Sequence, residues 1–205
     1  MQMVRTTVVV VLAAGVATGC TSKENGSPTA EPDPTGTRSS APTNDETYGA
    51  PRVTKPLDAT KFLGQPCAVL TRAQLDGFGV SRAGEPDTDS EIARVSGPGC
   101  LWVARPEVNS TIDMSFLTGN KKGLSDTYRG RSRFAFFEET TVEGYPAVFN
   151  DPSDGRPHGD CNITVGISDT LAFRAREEGG LVGQPVCDRA KQVAAAVIAT
   201  LKAGS

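Results

Sequence analysis

The sequence predicts an α+β fold: an antiparallel sheet of about five to seven strands, with a short N-terminal helix and a C-terminal amphipathic helix packed on one face. Three observations predict it. Period-two alternation recurs through the middle of the chain, a capped helical start stands at Thr71, and an apolar stripe of helical period closes the chain from about Pro185 to Ala203. Strands held between two terminal helices argue for an antiparallel sheet with its helices segregated to one side.

Taken in order, Phe62 and Leu63 open the folded part, and Pro66-Cys67 lead into Ala68-Val69-Leu70. Thr71 followed three residues later by Gln74 fits a capping box, so a helix should run to about Asp76 and stop at Gly77, burying Leu70, Leu75 and Phe78. Residues 82–91 are polar and acidic and are expected to form a surface loop. Ile92–Ser96 and Cys100–Arg105 flank Gly97-Pro98-Gly99, a turn signal that predicts a hairpin. Cys100, Trp102 and Ala104 then share one face, because side chains alternate along a strand.

Thr111–Leu117 alternates cleanly, with Ile112, Met114 and Phe116 on one side. Lys121–Tyr128 is expected as a short helix or loop, Phe134–Thr141 and Tyr145–Asn150 as strands around Glu143-Gly144, and Asp151–Asp160 as a turn-rich loop. Cys161–Ile167 and Leu171–Arg176 give the clearest hairpin, turning at Ser168-Asp169-Thr170. The final helix carries Val186, Ala190, Val193, Ala194, Val197, Ile198 and Leu201 on one stripe, with Pro185 suited to its first turn.

Upstream of this domain, expected over 60–205, the chain reads differently. Arg5 precedes an uncharged run, Val8–Ala17, then Thr18-Gly19-Cys20. A positive start, an apolar middle and small residues at the cut describe a signal peptide over 1–19. Its apolar core is too short to span about 30 Å of hydrocarbon as a retained helix. A cysteine at this place predicts a lipoprotein signal, with Cys20 acylated and holding the protein on the outer face of the cell membrane. Residues 20–59 are rich in Pro, Ser, Thr and Gly, and poor in apolar residues. They read as a disordered tether, with a typical reach near 35 Å for about 38 flexible residues.

From residue 60 onward sixteen Lys plus Arg stand against eighteen Asp plus Glu, a net charge of −2. No global basic field suits nucleic acid, and none is expected as a partner. With Cys20 assigned to lipid, four cysteines remain: Cys67, Cys100, Cys161 and Cys187. Their gaps of 33, 61 and 26 residues lack the close pairs of a zinc site, so two disulfides are expected in an exported domain. Four cysteines allow three pairings.

The lipoprotein signal, the low-complexity tether, Pro66-Cys67-Ala68-Val69-Leu70-Thr71 and Cys100-Leu101-Trp102 resemble the actinobacterial lipoprotein family, domain of unknown function 3558. Gly144-Tyr145-Pro146-Ala147-Val148, the strand starting at Cys161, and Cys187 heading the last helix extend the resemblance across most of 60–203. It implies an exported, membrane-anchored domain and supplies no catalytic residue.

Among the pairings, Cys67–Cys100 and Cys161–Cys187 are favoured, since each staples a helix start to a strand; the crossed arrangement stays open. His158, the sole histidine, sits in a Gly/Pro/Asp loop with Ser153, Asp154 and Asp160 nearby, but without a nucleophile elbow. Glu138-Glu139 and Glu177-Glu178 are adjacent pairs, which on strands point to opposite faces and read as solvated charges at strand ends. Arg129, Arg131 and Arg133 would share a face of an extended segment. That face suits anionic lipid or wall polymer, or serves as a charged edge strand that resists aggregation. Trp102 is expected to pack in the core on a disulfide. No cofactor, metal site or catalytic set is expected. The sequence therefore predicts a non-enzymatic module at the cell envelope, binding a protein, wall polymer or lipid. The alternatives are a small enzyme using carboxylates or His158, and a structural or chaperone-like assembly factor.

Overall fold

The computed structural model describes residues 46–105 and 110–204. The expected signal peptide, Cys20 and the greater part of the expected tether lie outside the described residues. A helical turn, α1 (Thr60–Leu63), and a 3₁₀ turn (Pro66–Val69) precede α2 (Arg72–Gly77). Then follow β1 (Glu85–Asp87), α3 (Glu91–Ser96), β2 (Gly99–Arg105), β3 (Ser110–Phe116) and α4 (Leu124–Arg129). The second half is β4 (Phe136–Val142), β5 (Tyr145–Asp151), β6 (Asp160–Gly166), β7 (Ala172–Glu178) and α5 (Gln184–Ala203). The strands form one seven-stranded antiparallel sheet in the order β1-β2-β3-β7-β6-β5-β4.

Alternation decides which residues enter the core. On one face of the sheet stand Trp102, Ile112, Met114, Phe116, Ile163, Val165, Phe173 and Ala175, all essentially inaccessible. The α5 stripe of Val186, Ala190, Val193, Ala194, Val197, Ile198 and Leu201 covers β6 and β7, and the 3₁₀ turn Pro66–Val69 packs over β2 and β3. At roughly 1.5–3 kcal/mol per buried large aliphatic or aromatic side chain, this layer is the main source of stability. The expected capping box is present: Thr71 Oγ accepts from Gln74 N at 3.3 Å, and Thr71 N donates to Gln74 Oε1 at 2.7 Å. Gln74 also donates to the Ala196 carbonyl at 3.0 Å, tying α2 to α5 on the same face.

The tight connection of β4 to β5 uses Glu143 (φ 51°) and Gly144 (φ 86°), with Val142 opposite Tyr145. Two central residues in the left-handed region make a turn whose twist matches the strands it joins.

Three expectations are corrected. Ile92–Ser96 is helix, not the first strand of a hairpin. Ser90 Oγ accepts from Ala93 N at 3.1 Å, Glu91 stands in the first turn and Arg94 in the last, and Gly97 (φ 128°) ends it. A good N-cap outweighs the weak strand preference of five residues. Within the expected loop 82–91, Glu85–Asp87 is an edge strand paired with β2. The boundary expected at 59 also lies earlier. Ala50 and Ala59 are buried, Leu57 N donates to the Ile167 carbonyl at 2.9 Å, and Arg52 pairs with Asp169 at 2.9 Å.

The opposite face of the sheet is only partly covered. Leu124 and Tyr128 of α4, with Ala50, pack on Val148 of β5, and Phe137 closes the group. Over β1, β2, β3 and β7 that face stays open.

Candidate functional site

The uncovered part of the sheet is a cleft with a cavity volume of about 540 Å³. Its floor comes from alternation: the side chains of β3 and β7 that do not enter the core are Thr111, Asp113 and Ser115, and Arg174, Arg176 and Glu178. One wall is β1 with Glu85 and Asp87; the other elements of the rim are Ile92, Leu101 and Leu117. The position of α3 is what makes this a cleft rather than a flat sheet. Asp87 holds the helix start by accepting from Ser90 Oγ at 2.6 Å, and Gly119 N donates to the Ser96 carbonyl at 3.0 Å at its end.

That helix buries only Ala93 and leaves Ile92 74% and Val95 71% exposed. On β2, Leu101 and Val103 are 39% and 36% exposed. A large apolar group gains by leaving water, at about 25 cal/mol per Å² removed. Of these side chains, Ile92 and Leu101 line the cleft and give it an apolar rim on which an apolar ligand would gain by docking.

The floor is polar and its charges are largely spoken for. Arg174 donates to Asp113 at 3.2 Å. Arg176 makes a bidentate pair with Asp160 at 2.7 and 2.6 Å and reaches Glu178 at 3.3 Å. Asp160 holds the Arg176 guanidinium firmly protonated. Two arginines are thus answered by three carboxylates, and Glu85 and Asp87 add two more on the β1 wall. The lining itself holds Glu85, Asp87, Asp113 and Glu178 against Arg174 and Arg176, an excess of two negative charges. A cleft whose walls exclude water focuses such a field on its opening.

The structure joins Cys67 to Cys100 and Cys161 to Cys187, each pair with Cα atoms 5.1 Å apart. These link the 3₁₀ turn to β2 and α5 to β6. Trp102 is 1% exposed in the core beside Cys100; a Cβ on Gly84 would overlap both Cys100 Sγ and Trp102 Nε1. Gly84 therefore lets the chain cross the ring and the disulfide at close range.

The residues of the histidine loop are not brought together. His158 is exposed on a 3₁₀ turn (Arg156–His158), Asp154 is held by Arg156 at 2.8 and 2.7 Å, and Asp160 belongs to Arg176. No group of three or more His, Cys, Asp or Glu is arranged for a metal ion among the described residues. The arginine stretch is not extended as expected: Arg129 ends α4, and Arg131 and Arg133 lie on a 3₁₀ turn, because Gly130 breaks the run. Arg129 pairs with Asp126 at 2.9 Å and Arg131 with Glu139 at 3.1 Å.

Two acids escaped the sequence reading. Glu177, expected as a solvated charge, is fully buried; it accepts from Ser110 Oγ at 2.6 Å and stands 3.5 Å from Arg189 Nε. Its position on β7 points it into the core with Phe173 and Ala175, and that parity was readable once the strand extended past Arg176. Asp151 is 6% exposed and accepts from Asn162 Nδ2 at 2.8 Å. Burial, then the neighbouring Asp160 carboxylate, raise its pKa above the usual range.

The fold and cleft belong to a chain whose family is defined. The protein is a member of the family described as protein of unknown function (DUF3558), matched over residues 15–200. No curated protein and no solved structure matches it. No helix among the described residues is long and apolar enough to cross a membrane.

Proposed function

We propose that this protein is an exported, non-enzymatic binding module, held at the membrane by acylation of Cys20, that uses the open-face cleft to bind a ligand joining an apolar arm to a cation. The observation that carries this reading is the pairing of an apolar rim, Ile92 and Leu101, with a lining that has two carboxylates in excess. A volume of about 540 Å³ lies within the usual range of about 300–1,000 Å³ for small-ligand sites. An amine or guanidinium would meet Glu85 and Asp87, and the attached apolar group would cover α3. The paired arginines of the floor then serve as a preformed, neutralised base.

The test is a titration of the ¹⁵N-labelled full chain with the peptide Ac-Leu-Lys-Leu-NH₂, followed by amide chemical shifts. Shifts concentrated at Glu85, Ile92, Leu101 and Asp113 support the cleft; no shifts, or equal shifts with Ac-Leu-Glu-Leu-NH₂, contradict it. For the anchor, Cys20→Ala should move the protein from the membrane to the soluble fraction, and continued retention would contradict acylation there.

A second reading is favoured by one observation. Asp151 is buried with its pKa raised, the direction in which a carboxyl is tuned toward general acid work. It stands outside the cleft lining, and its neighbour Asp160 is committed to Arg176. In that reading Asp151→Asn abolishes an activity while leaving peptide binding in the cleft intact.

A further inference from the structure

A second surface lies where the chain upstream of the described residues joins the fold. Residues 46–50 form a turn whose Ala50 packs on Leu124 and Tyr128 of α4. Around that helix Lys121, Lys122, Arg129, Arg131 and Arg133 are all exposed. The acids among them are placed differently. Asp126 has a side chain only 8% exposed and accepts from Lys122 N at 2.9 Å, whereas Arg129 above it is 59% exposed. The carboxylate is thus folded under the turn while the guanidinium faces water. Of the exposed acids nearby, Glu139 pairs with Arg131, and Glu46 stands in the turn that carries Tyr48.

Aromatic rings stand within this basic face. Arg131 lies 4.6 Å from the Phe137 ring centre and Arg129 lies 5.9 Å from that of Tyr48. Tyr48 is 43% exposed and takes a φ of 54°, a conformation that bulky L residues rarely adopt. Its strain is the kind of local cost that persists where a side chain is held for contact. Exposed cations beside one amphipathic ring, Tyr48, and one apolar ring, Phe137, match the layered chemistry of a lipid headgroup region.

We infer that the basic turn from Lys121 to Arg133, with Tyr48, docks on an anionic lipid surface and so fixes how the domain stands on its membrane. This deepens the anchored half of the proposed function and is independent of what the cleft binds. The covalent geometry agrees with it. If Cys20 is the first mature residue, the 25 residues between it and residue 46 can span at most about 85–95 Å. The point of attachment is therefore next to the basic face, and anchoring raises the local concentration of headgroups there.

The test uses the full chain carrying Cys20→Ser, so that acylation contributes nothing, and vesicles of phosphatidylcholine alone or with one third phosphatidylserine. Binding to uncharged vesicles measures whatever the N-terminal apolar segment contributes; the excess on anionic vesicles measures the basic face. That excess should fall about tenfold to a hundredfold in Arg129→Gln/Arg131→Gln/Arg133→Gln, given roughly a factor of five per basic residue and the partial engagement of two of them. It should also fade as salt rises from 0.05 to about 0.5 M. Tyr48→Ser should weaken it without changing the salt slope. An unchanged excess in the triple variant overturns the inference. So does a variant that loses binding to soluble polyphosphate but not to anionic vesicles, because the face would then serve a polyanion. Either failure leaves the peptide titration of the cleft and the Cys20→Ala fractionation unaffected.

Discussion

Replacing both Cys161 and Cys187 with alanine should lower the unfolding free energy by about 4.5–5.5 kcal/mol. The bridge closes a loop of 26 residues between β6 and α5. Loop-closure entropy of roughly −12 cal/mol/K for that length gives about 3.5 kcal/mol at 25 °C. Both sulfurs are fully buried, and their loss adds about 0.5–1 kcal/mol each as unfilled volume. The second bridge, Cys67–Cys100, closes 33 residues and gives about 3.7 kcal/mol from closure. Cys67 is only partly buried, so its sulfur should contribute less. The two double-alanine variants should therefore agree to within about 1 kcal/mol by urea unfolding, followed by far-ultraviolet circular dichroism. Because the loops do not overlap, the effects should add, removing a large share of the roughly 5–15 kcal/mol typical of a native domain. A bridge whose removal lowers stability by less than about 1 kcal/mol would refute the reasoning for that pair.

Three further outcomes follow from particular residues. Asp151→Asn should stabilise the protein near pH 7, with the gain vanishing as pH falls below the ordinary carboxylate range. A carboxyl whose folded pKa is raised favours the fold when protonated and loses that contribution as pH rises through the folded value. Urea midpoints of the variant and the parent, compared from pH 3 to pH 7, check this, and a constant difference would contradict it. Gly97→Ala should cost about 1–3 kcal/mol or more, since φ is 128° and a Cβ there would overlap the Phe116 carbonyl oxygen; thermal unfolding reads it directly. Tyr128, pushed up to about 12 by burial and then by Glu139, should ionise near that value in an absorbance titration at 295 nm of the Tyr48→Phe/Tyr145→Phe variant, where it is the one tyrosine left; a midpoint near the ordinary phenol value of about 10 would contradict this.

Some of the fold was legible because one physical signal dominated. Helix α5 and the β6–β7 hairpin carry long, unbroken periodicities, so they were placed to within one or two residues. At α3 two signals competed. Ile92 and Val95 suggest strand, while Ser90 and Glu91 set a helix start, and the cap prevailed because it supplies a hydrogen bond to an otherwise open amide. The edge strand at Glu85-Pro86-Asp87 has no apolar alternation to read, and proline is tolerated there only because the strand is at the edge. Pairing of β3 with β7 joins residues more than fifty positions apart, which local pattern does not encode.

The site was less legible for the same reason. The floor of the cleft alternates Asp113 with core residues on β3, and Arg174 and Arg176 with Phe173 and Ala175 on β7. Each strand could be read alone, but only the register Asp113 opposite Arg176 and Ser115 opposite Arg174 assembles a site from them. The burial of Glu177 depends on Ser110 and Arg189, sixty-seven residues before it and twelve after. In contrast, Arg129, Arg131 and Arg133 were visible as a cluster, and what changed was their backbone.

The claim that the open-face cleft is the binding site is tested most directly by reversing its excess charge. In Glu85→Lys/Asp87→Lys the rim of Ile92 and Leu101 remains and the lining changes from two surplus negative charges to two surplus positive ones. Equilibrium binding of Ac-Leu-Lys-Leu-NH₂ and Ac-Leu-Glu-Leu-NH₂ to the parent and this variant is the measurement. The parent should prefer the lysine peptide and the variant the glutamate peptide; an unchanged preference would contradict the cleft as the site of recognition.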